Sequence, residues 1–303
     1  MNLCTKFNRV SAAAVWVVTL MFGLTGPMAA TAAQPTVGLG TAAPFVILAG
    51  TPVITNTGPS VITGNVGLSP KAGSGITGLL CTQVTGTVYA VDATGDPCFT
   101  VNGPLLVTAK NDLITAYLDA AGRIPVTTIA TELGGTTKTA GVYISGSTNF
   151  QITNIGPLVL DGQNDPSSVF IFNAPRSAPG LIVGNGSTVS LINGAQACNV
   201  FWRVDSATIG TTAVFKGTVL ALNSITVANG ANIEGRLLAR DGQVTLDNDT
   251  IKGSVCAAAT TAPKFPNTGI APTNSNTLLG LGTLGGLITI SILLAVARRK
   301  AVI

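Results

Sequence analysis

The sequence predicts a fold dominated by β-structure, a parallel β-solenoid with one long α-helix packed alongside. Three observations predict it. Glycine recurs at a fixed interval in the C-terminal half, at Gly217, Gly235 and Gly253, each 18 residues after the last. Alternating segments recur with the glycines: Ser206-Ala207-Thr208-Ile209, Ser224-Ile225-Thr226-Val227 and Gln243-Val244-Thr245-Leu246, spaced 18 and then 19 residues apart. Within each, small or polar side chains alternate with apolar ones, the period of a half-buried strand. The rest of the chain is rich in Val, Ile, Thr, Asn and Gly and holds one clear helical stripe. A repeat this short cannot bury its own apolar face, so it stacks on its neighbours, with about six residues on each of three sides.

Taken in order, residues 1–32 read as a secretory signal. A short basic region carries Lys6 and Arg9, an apolar run extends from Ala12 to Leu24, and Ala30-Thr31-Ala32 forms a small-x-small cleavage site. The folded domain is expected over 33–256. Between Gly38 and Gly78, short apolar runs such as Phe45–Ala49 and Val61-Ile62-Thr63 are punctuated by Gly and Asn. The phrase Val46–Thr55 resembles Val219–Val227, which places Thr51 in one outward file with Ser224 and adds Thr55 to the same face.

The helix is expected over about 104–121, after Gly103-Pro104 and before Gly122. Its stripe is Leu105, Ala109, Leu113, Ala116, Tyr117 and Ala120, and Asp112 falls on the exposed side. Such a stripe must be buried, and the side of the solenoid is the apolar surface available. Strands resume at Val142–Ser145, Phe150–Ile152, Leu158–Leu160, Val169–Phe172 and Val189–Gly194, whereas Pro175, Pro179 and several glycines leave the register of 173–190 open.

Residues 257–264 form an Ala/Thr/Pro linker, and 265–303 carry Phe265-Pro266-Asn267-Thr268-Gly269, an apolar run over 278–297 and Arg298-Arg299-Lys300. The run is long enough to span a bilayer, with the terminal cations on the cytoplasmic side. Pentapeptide, apolar run and basic end look like a sortase cell-wall sorting signal, with Phe265 in place of the usual Leu. That resemblance implies cleavage between Thr268 and Gly269, with sortase and peptidoglycan as partners. The protein is therefore expected outside the cell, anchored to wall or membrane.

Composition narrows the function. Only 9% of residues are charged, and histidine is absent. Setting aside the five cations of the two ends, Lys6, Arg9, Arg298, Arg299 and Lys300, leaves 11 Lys and Arg against 12 Asp and Glu, so no basic face for nucleic acid remains. Four cysteines, Cys81, Cys98, Cys198 and Cys256, follow the leader's Cys4, an even number suited to export. Three connectivities are possible. Cys81–Cys98 and Cys198–Cys256 are favoured, because the first closes a local excursion and the second pins the end of the domain to an earlier repeat. None has metal-ligand spacing, and no cofactor motif is present.

An enzyme on this scaffold needs convergent carboxylates, bases or a metal. The close acidic pairs, Asp161 with Asp165 and Asp247 with Asp249, sit in turn sequence, so no catalytic residue is assigned. The alternative to catalysis is a surface. If Ile225, Val227, Val244 and Leu246 point inward, Ser206, Ser224 and Gln243 form one outward file and Thr208, Thr226 and Thr245 a second. The result is a flat, nearly uncharged grid of hydroxyls and methyls that can order water.

Leu39-Gly40-Thr41-Ala42, Val61-Ile62-Thr63-Gly64, Ala116-Tyr117, Asp119-Ala120-Ala121-Gly122-Arg123, Leu191-Ile192-Asn193-Gly194-Ala195-Gln196-Ala197-Cys198 and Gly235-Arg236-Leu237-Leu238 resemble the microbial β-solenoid ice-binding proteins. The resemblance covers nearly all of 37–255. It implies a discontinuous right-handed solenoid of triangular section, one helix alongside, and a flat face that adsorbs to ice through the Thr51, Ser224 and Gln243 positions. The excursion around Asp96-Pro97-Cys98 is longer than the family leads one to expect. The competing reading is a wall-anchored adhesin or structural surface protein without ice activity.

Overall fold

The computed structural model of the protein describes residues 34–174 and 179–257. The expected signal peptide, the linker beyond Ala257, the sorting pentapeptide and the apolar run 278–297 lie outside the described residues. Among the described residues no helix is long and apolar enough to cross a membrane.

The alternating segments become strands because each can bury its Val, Ile or Leu side chains on one face and satisfy its backbone through its neighbours. Among the described residues they form sheets of thirteen, seven and three strands, and the pairings are parallel. The seven-stranded sheet runs Phe150–Ile152, Leu181–Val183, Ala207–Ile209, Ile225–Val227, Val244–Asp247, Ile54–Thr57 and Ile76–Thr77. Spatial order departs from chain order at one place. Phe45–Ala49 pairs with Asn232–Ala239, and Ile54–Thr57 pairs with Val244–Asp247, so the first strands stack on the last. The unsettled stretch falls into line as well, with Phe170–Ala174 pairing Val200–Val204, Leu181–Val183 pairing Ala207–Ile209, and Val189–Ile192 pairing Leu158–Asp161.

The glycines mark a corner where stacked backbone leaves no room for a side chain. Gly217 and Gly235 are register partners. Gly217 has φ of +112°, and a Cβ there would lie 2.7 Å from Val200 Cγ1 and 2.8 Å from the Val200 carbonyl oxygen. At Gly235 a Cβ would collide with the Gly217 carbonyl. Gly253 donates to Thr63 O at 3.1 Å and Gly64 donates to Thr85 O at 2.9 Å, which carries the column into the N-terminal strands. The 18-residue interval in the sequence is thus one position seen in successive layers.

Inside the large sheet, Tyr143, Phe172 and Trp202 are register partners, with ring centroids 5.3 and 4.2 Å apart. Phe215 extends the stack at 5.5 Å from Trp202, whose indole N–H donates to Lys216 O at 3.0 Å. Aromatic pairs of this kind contribute about 0.5–1.5 kcal/mol each beyond the area they bury. The outer side of the same sheet is covered by the helix, Gly103–Gly122. Asn102 caps its start by accepting from Leu105 N at 3.1 Å. The buried stripe is Leu106, Ala109, Leu113, Ala116, Tyr117 and Ala120, against Phe45, Leu48, Val142, Ile171, Phe201, Leu220 and Leu238. Leu106 replaces the expected Leu105 as the first buried position. Asp112 is no idle surface residue, since its carboxylate accepts both the N–H (2.7 Å) and the hydroxyl (2.6 Å) of Thr41.

Arg236 ties early and late segments of the described domain, donating from Nε to Ala43 O at 2.8 Å and from Nη2 to Ser254 O at 2.9 Å. The disulfides are Cys81–Cys98 and Cys198–Cys256, as the spacing favours.

Two glycine substitutions should separate with opposite signs in urea unfolding. Gly235→Ala should lower stability by more than about 2 kcal/mol, since backbone in the adjacent layer has to move. Gly122→Ala, in helical backbone with nothing within 4 Å of the added carbon, should raise it by about 0.5 kcal/mol. Equal midpoints for the two variants would remove the stacking argument.

Candidate functional site

The seven-stranded sheet buries one set of side chains and presents the other. Ile225, Val227, Val244 and Leu246 are no more than 1% exposed, and Ile54, Ala207 and Ile209 join them inside. The side chains between them turn outward and fall into register. Thr208 pairs with Thr226, Thr226 with Thr245, Thr245 with Thr55, and Thr55 with Thr77. Five threonines therefore stand side by side on consecutive strands, and the hydroxyls of Thr55 and Thr77 approach to 3.5 Å. In the other direction the file continues through Ile182 and Gln151.

A second file flanks the first. Ala207 N donates to Ser224 O at 3.0 Å and Ile225 N to Gln243 O at 2.9 Å, which keeps Ser206, Ser224 and Gln243 in adjacent layers. Ser206 turns its hydroxyl to Asp205 Oδ2 at 3.0 Å. The next position in this file belongs to Val53, because Val244 N donates to Val53 O.

Thr51 lies two residues earlier, at the corner, where its N–H donates to Asp241 O at 2.8 Å and its hydroxyl to the same oxygen at 3.2 Å. The expected alignment of Thr51 with Ser224 is thereby corrected. Its reason is a double slip: Ile47, not Val46, matches Val219, and the connection from Ala49 to Ile54 is one residue longer than that from Ala221 to Ile225. Thr77, Gln151, Ile182 and Val53 were missed by the sequence reading. The dipeptide Ile-Thr at 54–55, 76–77 and 225–226 is a shared feature of the file, but it also occurs elsewhere, as at 62–63 and 114–115, so it does not by itself find Thr77.

Charge is confined to the margins. Asp247 stands beside Thr57 at one rim, and Asp205, which accepts from Asn223 Nδ2 at 3.0 Å, and Asp241 stand at the other. Among the described residues no group of His, Cys, Asp and Glu is placed to hold a metal. The acidic pairs serve turns. Asp161 accepts from Gln163 N (2.8 Å) and Asn193 Nδ2 (2.9 Å), while Asp165 accepts from the N–H (2.8 Å) and hydroxyl (2.6 Å) of Ser167, bonds that lower its pKa. A cavity of about 610 Å³ lined by Gln34, Thr139, Tyr143 and Asp165 lies away from the threonine file.

The model for the family described as ice-binding-like matches residues 47–252. The chain belongs to that family. Among its relatives is an ice-binding protein of Nostoc sp. (strain HG1), 38% identical over 247 residues, which cover 80% of this chain and 82% of the relative. An ice-binding protein of Colwellia sp. is 41% identical over 221 residues, 71% of this chain and 83% of the other. Among solved structures, an ice-binding protein from an Antarctic biological consortium superposes with a TM-score of 0.65 at 38% identity, covering 74% of this chain and 94% of that one. The matched range takes in the helix and every strand of the threonine file, so the family match and the face coincide.

Two residues beyond Asp247 lies Asp249, only 1% exposed, whose carboxylate accepts the N–H groups of Ala231 (2.9 Å) and Asp247 (2.8 Å). Burial outweighs these bonds and, with the neighbouring Asp247 charge, pushes its pKa up to about 6. A carboxyl whose folded pKa is raised contributes stability that is full below about pH 4 and is lost as pH rises through the folded value. The stability of the native chain relative to Asp249→Asn should therefore fall between about pH 4 and pH 6, by at most about 3 kcal/mol, and be level above that. A difference that stays constant from pH 4 to pH 7 would show that the carboxyl titrates normally.

Proposed function

We propose that this chain adsorbs to ice through the outer face of the seven-stranded sheet, and that the fold behind that face is a right-handed solenoid of triangular section. The observation that carries the reading is the file of five threonines in register from Thr208 to Thr77. Stacked strands lie about 4.8 Å apart and same-face residues along a strand about 6.7 Å apart, spacings close to repeats of the ice lattice. Each threonine offers a hydroxyl that bonds water and a methyl that does not compete for it. β-Branching holds both in a narrow set of rotamers, so ordering the face costs little entropy. The names of the relatives support ice as the partner. The contact set is Thr55, Thr77, Ser206, Thr208, Ser224, Thr226, Gln243 and Thr245, with Thr51 at the corner edge.

The tail supports a companion reading. A secreted chain cleaved between Thr268 and Gly269 and joined by sortase to peptidoglycan holds this face at the cell surface, and attachment of a cell to ice satisfies both readings.

Adsorption across a flat area has no single hot residue, so a bulky side chain in mid-face does more harm than a lost hydroxyl. Thr226→Tyr should abolish most shaping and growth arrest of a single ice crystal, Thr226→Ala should reduce them modestly, and Asn111→Tyr on the exposed side of the helix should change neither. All three should fold, because outward changes are usually within about 0.5 kcal/mol. A folded Thr226→Tyr protein with undiminished activity would place the contact elsewhere. An unmodified chain that leaves ice crystals unshaped would instead favour the surface-adhesin reading.

For the tail, Thr268→Ala should leave the protein extractable by detergent, whereas the native chain resists detergent and is released by a wall hydrolase. Equal extraction of both would reduce the tail to a plain membrane anchor.

A further inference from the structure

The outward file of the seven-stranded sheet changes character along its length. Five neighbouring strands centre on threonine, and the next two centre on Ile182 and Gln151. The flanking positions are less uniform: Thr226 stands between Ser224 and Ala228, Thr55 between Val53 and Thr57, and Thr208 between Ser206 and Gly210. Ile182 is flanked by Gly180 and Gly184. Gly180 is itself buried, and Ile182 carries an ethyl group where its register partner Thr208 carries a hydroxyl. One strand further on, Gln151 puts a long amide in the central file, whereas Gln243 stands in the flanking one, and such a side chain loses much rotamer freedom when held in one place.

We propose that ice contact ends at the Thr208 strand. The adsorbing surface is the block from Thr208 to Thr77, flanked by Ser206, Ser224, Gln243 and Thr57, and Ile182 and Gln151 stand outside it. The proposal rests on the ice-binding reading above and bounds it. Four inter-strand steps make the block about 19 Å long at about 4.8 Å per step. Over that length every central residue is the same, so waters held by successive hydroxyls repeat with the strands. At Ile182 the central file loses its hydroxyl, and a lattice matched to the block finds no continuation. The block also straddles the seam where the N-terminal strand Ile54–Thr57 pairs with Val244–Asp247. Its Thr55 and Thr77 come from the first third of the chain and its remaining threonines from the last third.

Two double variants of the full chain test this. Ile182→Ala with Gln151→Ala should leave thermal hysteresis unchanged, whereas Thr55→Ala with Thr77→Ala should lower it several-fold. Urea unfolding establishes that each variant is folded. Should the Thr55/Thr77 pair fail to fold, Thr208→Ala with Thr226→Ala takes its place with the same expected loss. Equal losses from the Ile182/Gln151 pair and the threonine pair would overturn the boundary and extend the contact over the whole sheet. An unmodified chain without hysteresis overturns the ice-binding reading itself, an outcome visible before any variant is compared.

Discussion

Everything on the outward face depends on how closely one layer of backbone sits on the next. That distance is set by hydrogen bonding between parallel strands and leaves no space for a Cβ at Gly217 and Gly235, while further along the same corner column the Val46 side chain fills the space beside Gly253 and Gly64. Where Gly235 meets the Gly217 carbonyl, any side chain would wedge the layers apart. A wedge at the corner is felt on the face, because the same layers carry Thr208, Thr226 and Thr245. Register across a sheet is all or nothing at the level of side-chain direction: a slip of one residue would turn the threonines inward and the Ile and Val residues out.

The face is also a product of what covers the other side. A two-sided apolar sheet must be buried on both faces. The large sheet meets that need with its aromatic interior, Tyr143 to Phe215, and with the helix outside, whose Ala109, Ala116 and Ala120 let it approach closely. The seven-stranded sheet buries its inner side chains, and its outer face centres on five threonines, with Ile182 and Gln151 at one end and Asp247 at the rim. The helix brace and the threonine face are thus divided between two sheets, and neither compromises the other. The cations Lys110, Arg203 and Arg240 gather around Tyr117 and the helix, where Arg203 lies 4.2 Å from the ring centroid and Lys110 donates to the carbonyls of Ala239 and Arg240. Burial there pulls the Lys110 pKa down to about 8. These charges serve packing and stand apart from the threonine file.

Alternation of residue types sufficed for the parallel strands, the 18-residue layer, the helix and the inward set Ile225, Val227, Val244 and Leu246, because these are local consequences of period and composition. Cys81–Cys98 followed from closing a local excursion, and Cys198–Cys256 from pinning the end of the domain to an earlier repeat. What local period could not decide was stacking across distant parts of the chain. Whether Thr51 or Val53 stands beside Gln243 depends on one extra residue between Ala49 and Ile54, and that residue has meaning only once Ile47 is paired with Leu237. Thr77 entered the file for the same reason, through Thr55 and the seam with Thr245. The strand at 181–183 became visible only through its partner at 207–209, since its own glycines and prolines carry no period. Sequence thus determined which residues could face water, and the tertiary pairing of the first strands with the last decided which of them stand together.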